Sequence, residues 1–187
     1  MEFLIYQVVF FLLFNGFEAN GVADSLIRDS CKNASKYEEP YYYNFCIKSF
    51  KENPESQKVR NIDDLIVVGV KNAMKNMTNV RGIVEKILKE RKYKTRLSEK
   101  LLRECLKLYS EGNDSLIKGI QYFKVRNYKR AHGNINDARY APRTCEMKFN
   151  GDNNQTSPIT KENDILFDLV GIPISLNFEA HIMPPDV

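Results

Sequence analysis

The chain has 187 residues, with 28 Lys and Arg against 24 Asp and Glu, four cysteines, two histidines and no tryptophan. At 43% hydrophobic residues it is too apolar for wholesale disorder, and its formal charge of +4 is too small and dispersed to call for nucleic acid. With no CxxC pair and two histidines, a zinc site would need an unusual ligand set.

Residues 1–23 contain no Lys or Arg, and residues 3–14 are almost wholly apolar. A membrane span needs roughly 20 apolar residues, so this shorter run reads as the core of a secretory signal peptide. Ala19, Gly21 and Ala23 supply small residues for cleavage. Loss of the segment removes Glu2 and Glu18 and leaves a mature charge of +6. No later apolar run is long enough for a second span.

Residues 24–60 read as a separate unit: a short helix over 25–36, a turn at Glu39-Pro40, a second helix over 41–52, and a linker from Asn53. Cys31 and Cys46 fall one on each arm, and a hairpin this small needs such a staple. From Asn61 the apolar residues recur at three and four. The first stripe is Ile62, Leu65, Gly69, Ala73, Met77, Val80, Ile83 and Ile87, capped by Asn61 with Asp63 and Asp64 in its first turn. Thr95 caps a second, Leu97, Leu101, Cys105, Leu108, Gly112, Leu116, Ile120 and Phe123. A short connection at Arg126-Asn127 returns the third antiparallel: Tyr128, Ala131, Ile135, Ala138, Pro142, Cys145 and Phe149. After a polar loop over 150–158, Thr160 opens a fourth: Ile165, Leu169, Ile172, Leu176 and Ala180. Pro142 and Pro173 are expected to kink the last two helices.

The pattern predicts an all-α, up-and-down four-helix bundle over 61–183, an N-terminal helical hairpin extension and a short tail, 184–187. Four cysteines allow three pairings. Cys105 and Cys145 lie 22 and 18 residues from the turn at Asn127, nearly level on antiparallel helices, so the spacing favours Cys105–Cys145 together with Cys31–Cys46. Two disulfides place the protein in an oxidising compartment. Sequons at Asn33, Asn76, Asn113 and Asn154 are candidate glycosylation sites of a secreted glycoprotein.

Catalysis finds no support, since the chain lacks a GxSxG elbow, a Walker loop and HExxH. His132 and His181 read as surface or packing residues, and Glu38-Glu39 and Asp63-Asp64 as turn and capping pairs. Neither a cofactor nor a metal is expected, and the protein reads as a monomer.

Several segments together are similar to one family. They are Leu26-Ile27 before Cys31, Tyr43-Asn-Phe-Cys46, Asn53-Pro-Glu-Ser56, residues 101–109 (LLRECLKLY), Asn127-Tyr-Lys-Arg-Ala131 and Thr144-Cys145. The chain resembles the plant invertase and pectin methylesterase inhibitors, with a Cys31–Cys46 interval like that of invertase-inhibitor members resembling pollen allergens. The resemblance implies a secreted, non-catalytic protein of the apoplast or vacuole that blocks acid invertase or pectin methylesterase in a one-to-one complex. Of the Pro-Lys-Phe segment common to invertase-blocking members, this chain keeps only the Phe, in Gln121-Tyr122-Phe123. The expected target contacts are Gln121, Tyr122, Phe123, Lys124, Arg126 and Tyr128, where the second helix turns into the third. The alternative is a secreted helical carrier, which would need an apolar cavity. The basic run from Lys86 to Arg103 reads as a solvated loop or as an attraction for an acidic surface such as demethylated pectin. Tyr41-Tyr42-Tyr43 is expected to pack the hairpin on one face and leave the rest as a contact patch.

Overall fold

The computed structural model describes residues 21–36, 38–151 and 153–183. The expected leader lies outside the described residues up to residue 20, as does the tail from 184. Helix α1 covers residues 21–34 and α2 spans Tyr41–Lys51. A 3-10 turn at Pro54–Lys58 leads into α3 (Ile62–Lys89), α4 (Arg96–Lys124), α5 (Tyr128–Asn150) and α6 (Thr160–His181). No strand occurs among the described residues, and no helix there is long and apolar enough to cross a membrane. Each bundle helix packs on its successor, and α3 also packs on α6 to close the ring.

Local chemistry sets the helix starts. The side chains of Asn61, Thr95 and Asn127 accept from the backbone N–H groups of Asp64, Ser98 and Arg130 at 2.9, 3.0 and 3.2 Å. Each satisfies one of the donors that a helix N-terminus leaves open. The ends of α3 and α4 share a different device. Lys92 N–H reaches Ile87 O and Arg91 N–H reaches Leu88 O; Asn127 N–H reaches Tyr122 O and Arg126 N–H reaches Phe123 O. This pair of bonds needs a left-handed residue, which is usually glycine. Here arginines occupy it, Arg91 at φ 53° and Arg126 at φ 58°, and no described glycine has a positive φ.

Two cores meet along the molecule. The larger one gathers Ala73, Met77 and Val84 of α3, Leu102, Cys105, Tyr109 and Leu116 of α4, Ile135, Cys145 and Phe149 of α5, and Leu166 and Val170 of α6. The second joins Ile27, Cys31, Tyr42, Cys46 and Phe50 of the hairpin to Leu65, Ile66, Phe123, Ala131, Ile172 and Leu176. The hairpin therefore shares this second core with the bundle. Tyr41 and Tyr42 hydroxyls donate to Asp168 Oδ2 and Asp168 O at 2.9 and 3.3 Å, and Asn72 Nδ2 donates to Ser49 O at 3.0 Å.

The stripes differ from expectation in places. On α3 the stripe steps from Val80 to Val84, leaving Ile83 38% exposed, and on α4 Leu97 is 37% exposed while Leu102 and Tyr109 are buried. Steps of three and four both fit a 3.6-residue turn, so packing decides between them. On α6 the main core takes Leu166, Val170 and Ile174, while Ile165 and Leu169 are half-buried and Ala180 is exposed. That helix is apolar almost all round because it is covered by α3, α5 and the hairpin, which blurs its periodicity. Both α5 and α6 continue unbroken past Pro142 and Pro173. Pro173 packs on Gly69, where an added Cβ would lie 3.4 Å from the proline Cβ.

The cysteines are bridged Cys31–Cys46 and Cys105–Cys145, none is free, and all four are fully buried. In the chain-entropy account, loops of 15 and 40 residues correspond to about 3 and about 4 kcal/mol. Replacing Cys31 and Cys46 by alanine should expose α1 and α2 to limited proteolysis while α3–α6 remain protected. Simultaneous cleavage throughout would contradict this.

Along the seam that carries the second bridge, two glycines of α4 leave no room for a side chain. A Cβ on Gly112 would meet Met77 Sδ at 3.0 Å and Ala141 Cβ at 3.1 Å, and one on Gly119 would meet Ile135 Cγ1 at 2.7 Å. Gly119→Ala should therefore lower stability by about 1–3 kcal/mol through overpacking. Gly82→Ala, at an α3 position with nothing within 4 Å, should raise it by about 0.5–1 kcal/mol. Urea unfolding of both variants distinguishes the two sites, and shifts of the same sign would count against the close contact.

Candidate functional site

Antiparallel packing brings the start of α3, the end of α4, the start of α5 and the end of α6 to one pole of the bundle. There Phe123 is 5% exposed and meets Tyr128 edge-on at 5.1 Å between ring centroids. Tyr128 lies flat on His181, 3.7 Å away and 5° from parallel. His181 Nε2 is 2.8 Å from Asp63 Oδ1, and the Tyr128 hydroxyl donates to Asp63 Oδ2 at 3.4 Å. Asn177, fully buried, donates to Tyr128 O at 3.1 Å. One cluster thus ties all four helices under the α4–α5 turn.

Above this base the turn is polar, cationic and fixed. Gln121, Lys124, Arg126 and Asn127 are exposed, as are Lys129 and Arg130, and Val125 at the tip is 71% exposed. The Arg130 guanidinium lies over the half-buried Tyr122 ring at 5.5 Å. Of the residues expected to contact a target, Phe123 and Tyr128 form the support, and Gln121, Tyr122, Lys124 and Arg126 form the face above it. His181, Asp63 and Asn177 were missed as members. Their only advance signal is topological, since the end of the fourth helix and the start of the first must share a pole.

The remaining polar groups have structural surroundings. His132 is half-buried beside Phe178, with ring centroids 5.9 Å apart, and burial pushes its pKa down. Tyr109 donates to Asn163 Oδ1 at 2.6 Å, and Asn163 Nδ2 donates to Glu146 Oε1 at 2.6 Å, a relay joining α4, α6 and α5. Burial pushes the Tyr109 and Tyr42 phenols well above their ordinary value. Burial also raises the Asp168 carboxyl, against the lowering effect of the Tyr41 hydrogen bond. No group of three or more His, Cys, Asp or Glu able to hold a metal occurs among the described residues. Of the sequon asparagines, Asn33 and Asn154 are exposed and Asn76 and Asn113 are half-buried in helices. A surface groove of about 300 Å³ runs between α5 and α6 past Arg143, Met147 and Phe167.

Comparison with known proteins agrees with this architecture. Residues 25–176 match the family model described as plant invertase/pectin methylesterase inhibitor. Pectinesterase inhibitor 12 of Arabidopsis thaliana is 36% identical over 175 residues, 94% of this chain and 97% of the relative. A protein of Platanus orientalis named "Putative invertase inhibitor" is 26% identical over 155 residues, 83% of this chain and 89% of its own length. Its namesake in Platanus acerifolia is 28% identical, again over 83% of this chain. The family match over residues 25–176, with the relative from Arabidopsis thaliana, places this doubly stapled helical bundle in the plant invertase/pectin methylesterase inhibitor family, and the relatives named above are inhibitors.

Proposed function

We propose that the protein is secreted and inhibits a plant pectin methylesterase in a one-to-one complex, using the α4–α5 end. The observation that carries this reading is the left-handed arginine at the tip. A non-glycine residue at φ 58° costs about 1 kcal/mol relative to glycine, and such strain concentrates where a side chain has a task. Arg126 is held outward on a turn whose base is locked by Phe123, Tyr128, His181 and Asp63, so little conformational freedom is lost when it docks. Arg and Tyr are residue types that tend to carry interface energy, and a guanidinium suits a cleft lined by carboxylates.

Two observations favour pectin methylesterase over acid invertase. The similarity to the Arabidopsis pectinesterase inhibitor spans nearly the whole chain, and only the Phe of the Pro-Lys-Phe segment is kept, at Phe123. A carrier role finds no support in the core, where α4 and α5 are too close even for a methyl group at Gly119. Export is supported by two buried disulfides and exposed sequons at Asn33 and Asn154.

The test is an inhibition panel of pectin methylesterase and acid invertase with purified protein. Arg126→Gly relieves the backbone strain while removing the guanidinium, so it should raise stability by about 0.5–1 kcal/mol and weaken inhibition of the esterase. Tyr122→Ala should also weaken inhibition, measured at a temperature where the variant is fully folded because its half-buried ring packs on the second core. Full potency of both variants, or inhibition of invertase alone, would overturn this reading.

A further inference from the structure

The opposite pole, about 40 Å away along α4, carries charge that the inhibitory end does not use. Between Glu85 and Arg103 lie eight Lys and Arg and three Glu, an excess of five that is larger than the +4 of the entire chain. The three carboxylates are already engaged: Glu85 with Arg81 at 3.7 Å, Glu90 with Lys92 at 2.7 Å, and Glu99 with Arg103 at 2.8 Å. Lys89, Lys94 and Arg96 are exposed and form no ion pair within 4 Å among the described residues. Lys86 and Arg91 act on Glu90 and Glu99 only at longer range. The turn that presents them is fixed at both edges, by the bonds that close α3 around Arg91 and by the Thr95 cap of α4. Arg91, at φ 53°, occupies the same strained position as Arg126 at the other pole.

We infer that the α3–α4 turn is a docking surface for a linear polyuronate, the de-esterified polymer that a pectin methylesterase leaves behind. Closely spaced, outward-pointing cations on one rigid turn match a flexible strand bearing one carboxylate on each sugar. The inference rests on the reading of the target as a pectin methylesterase, because hydrolysis of its methyl esters creates the anion required. The two poles then divide the work: one end binds the enzyme, and the other holds the inhibitor on the polymer where that enzyme has acted.

The test measures binding of the full chain to polygalacturonate and to its fully methyl-esterified counterpart, without enzyme present. The probe variant is Lys89→Ser, Arg91→Gly, Lys94→Ser and Arg96→Ser combined, with inhibition of soluble esterase followed in parallel. The wild type should bind polygalacturonate at low ionic strength, release it at about 0.5 M salt and ignore the esterified polymer. The variant should bind about tenfold or more weakly while inhibiting as well as the wild type. Equal binding by the variant, equal binding to the esterified polymer, or equally tight binding of anionic lipid vesicles would overturn the inference. Failure of the wild type to bind polygalacturonate, with its inhibition of the esterase intact, counts against this inference alone. Polymer binding without any esterase inhibition counts against the target reading alone.

Discussion

The rest of the structure depends on how closely α4 and α5 approach. With no side chains at Gly112 and Gly119, Ala141 and Ile135 of α5 can press onto the α4 backbone. The Cys105 and Cys145 Cα atoms lie 5.2 Å apart, level with one another and inside the same core. A bridge can form there only because the helix axes are already near, and once formed it keeps them so. The register of this pair determines where α4 ends and α5 begins, and hence where the turn at residues 125–127 stands. Volume missing at two glycines in mid-helix is thus converted into a fixed position for Arg126 at the end.

A second constraint acts on both poles. Closing α3 and α4 with a left-handed residue saves a turn of chain, and glycine would do it without strain. Arginine stands there twice. One pole sets Arg126 on an aromatic base, and the other places Arg91 near Lys89 and Lys94, which form no ion pair within 4 Å among the described residues. The same backbone device therefore supports two different surfaces. The relay from the buried Tyr109 through Asn163 to the half-buried Glu146 lies between them and holds α4, α6 and α5 to one register by hydrogen bonds.

Most of the fold was legible because it is written locally. Asn61, Thr95 and Asn127 read as caps from their neighbours alone, and the α5 stripe from Ala131 to Phe149 is buried throughout. On α6 the apolar residues surround the helix, so no single stripe could be chosen without knowing that the hairpin covers its outer side. The pole cluster was only half legible. Phe123 and Tyr128 lie close in sequence, but the Asp63–His181 contact joins residues 118 apart and depends on the completed ring of helices. The left-handed arginines were hidden for a different reason, since the usual sign of such a helix end is a glycine.

The central claim is that a locked α4–α5 end is the surface that engages the target. Hydrogen exchange of the protein, free and saturated with pectin methylesterase, tests it most directly because it reads every segment at once. The account predicts new protection over residues 121–130, with exchange over residues 86–100 left unchanged by the enzyme. Protection confined to the hairpin or to the α3–α4 turn, with residues 121–130 exchanging as in the free protein, would contradict it.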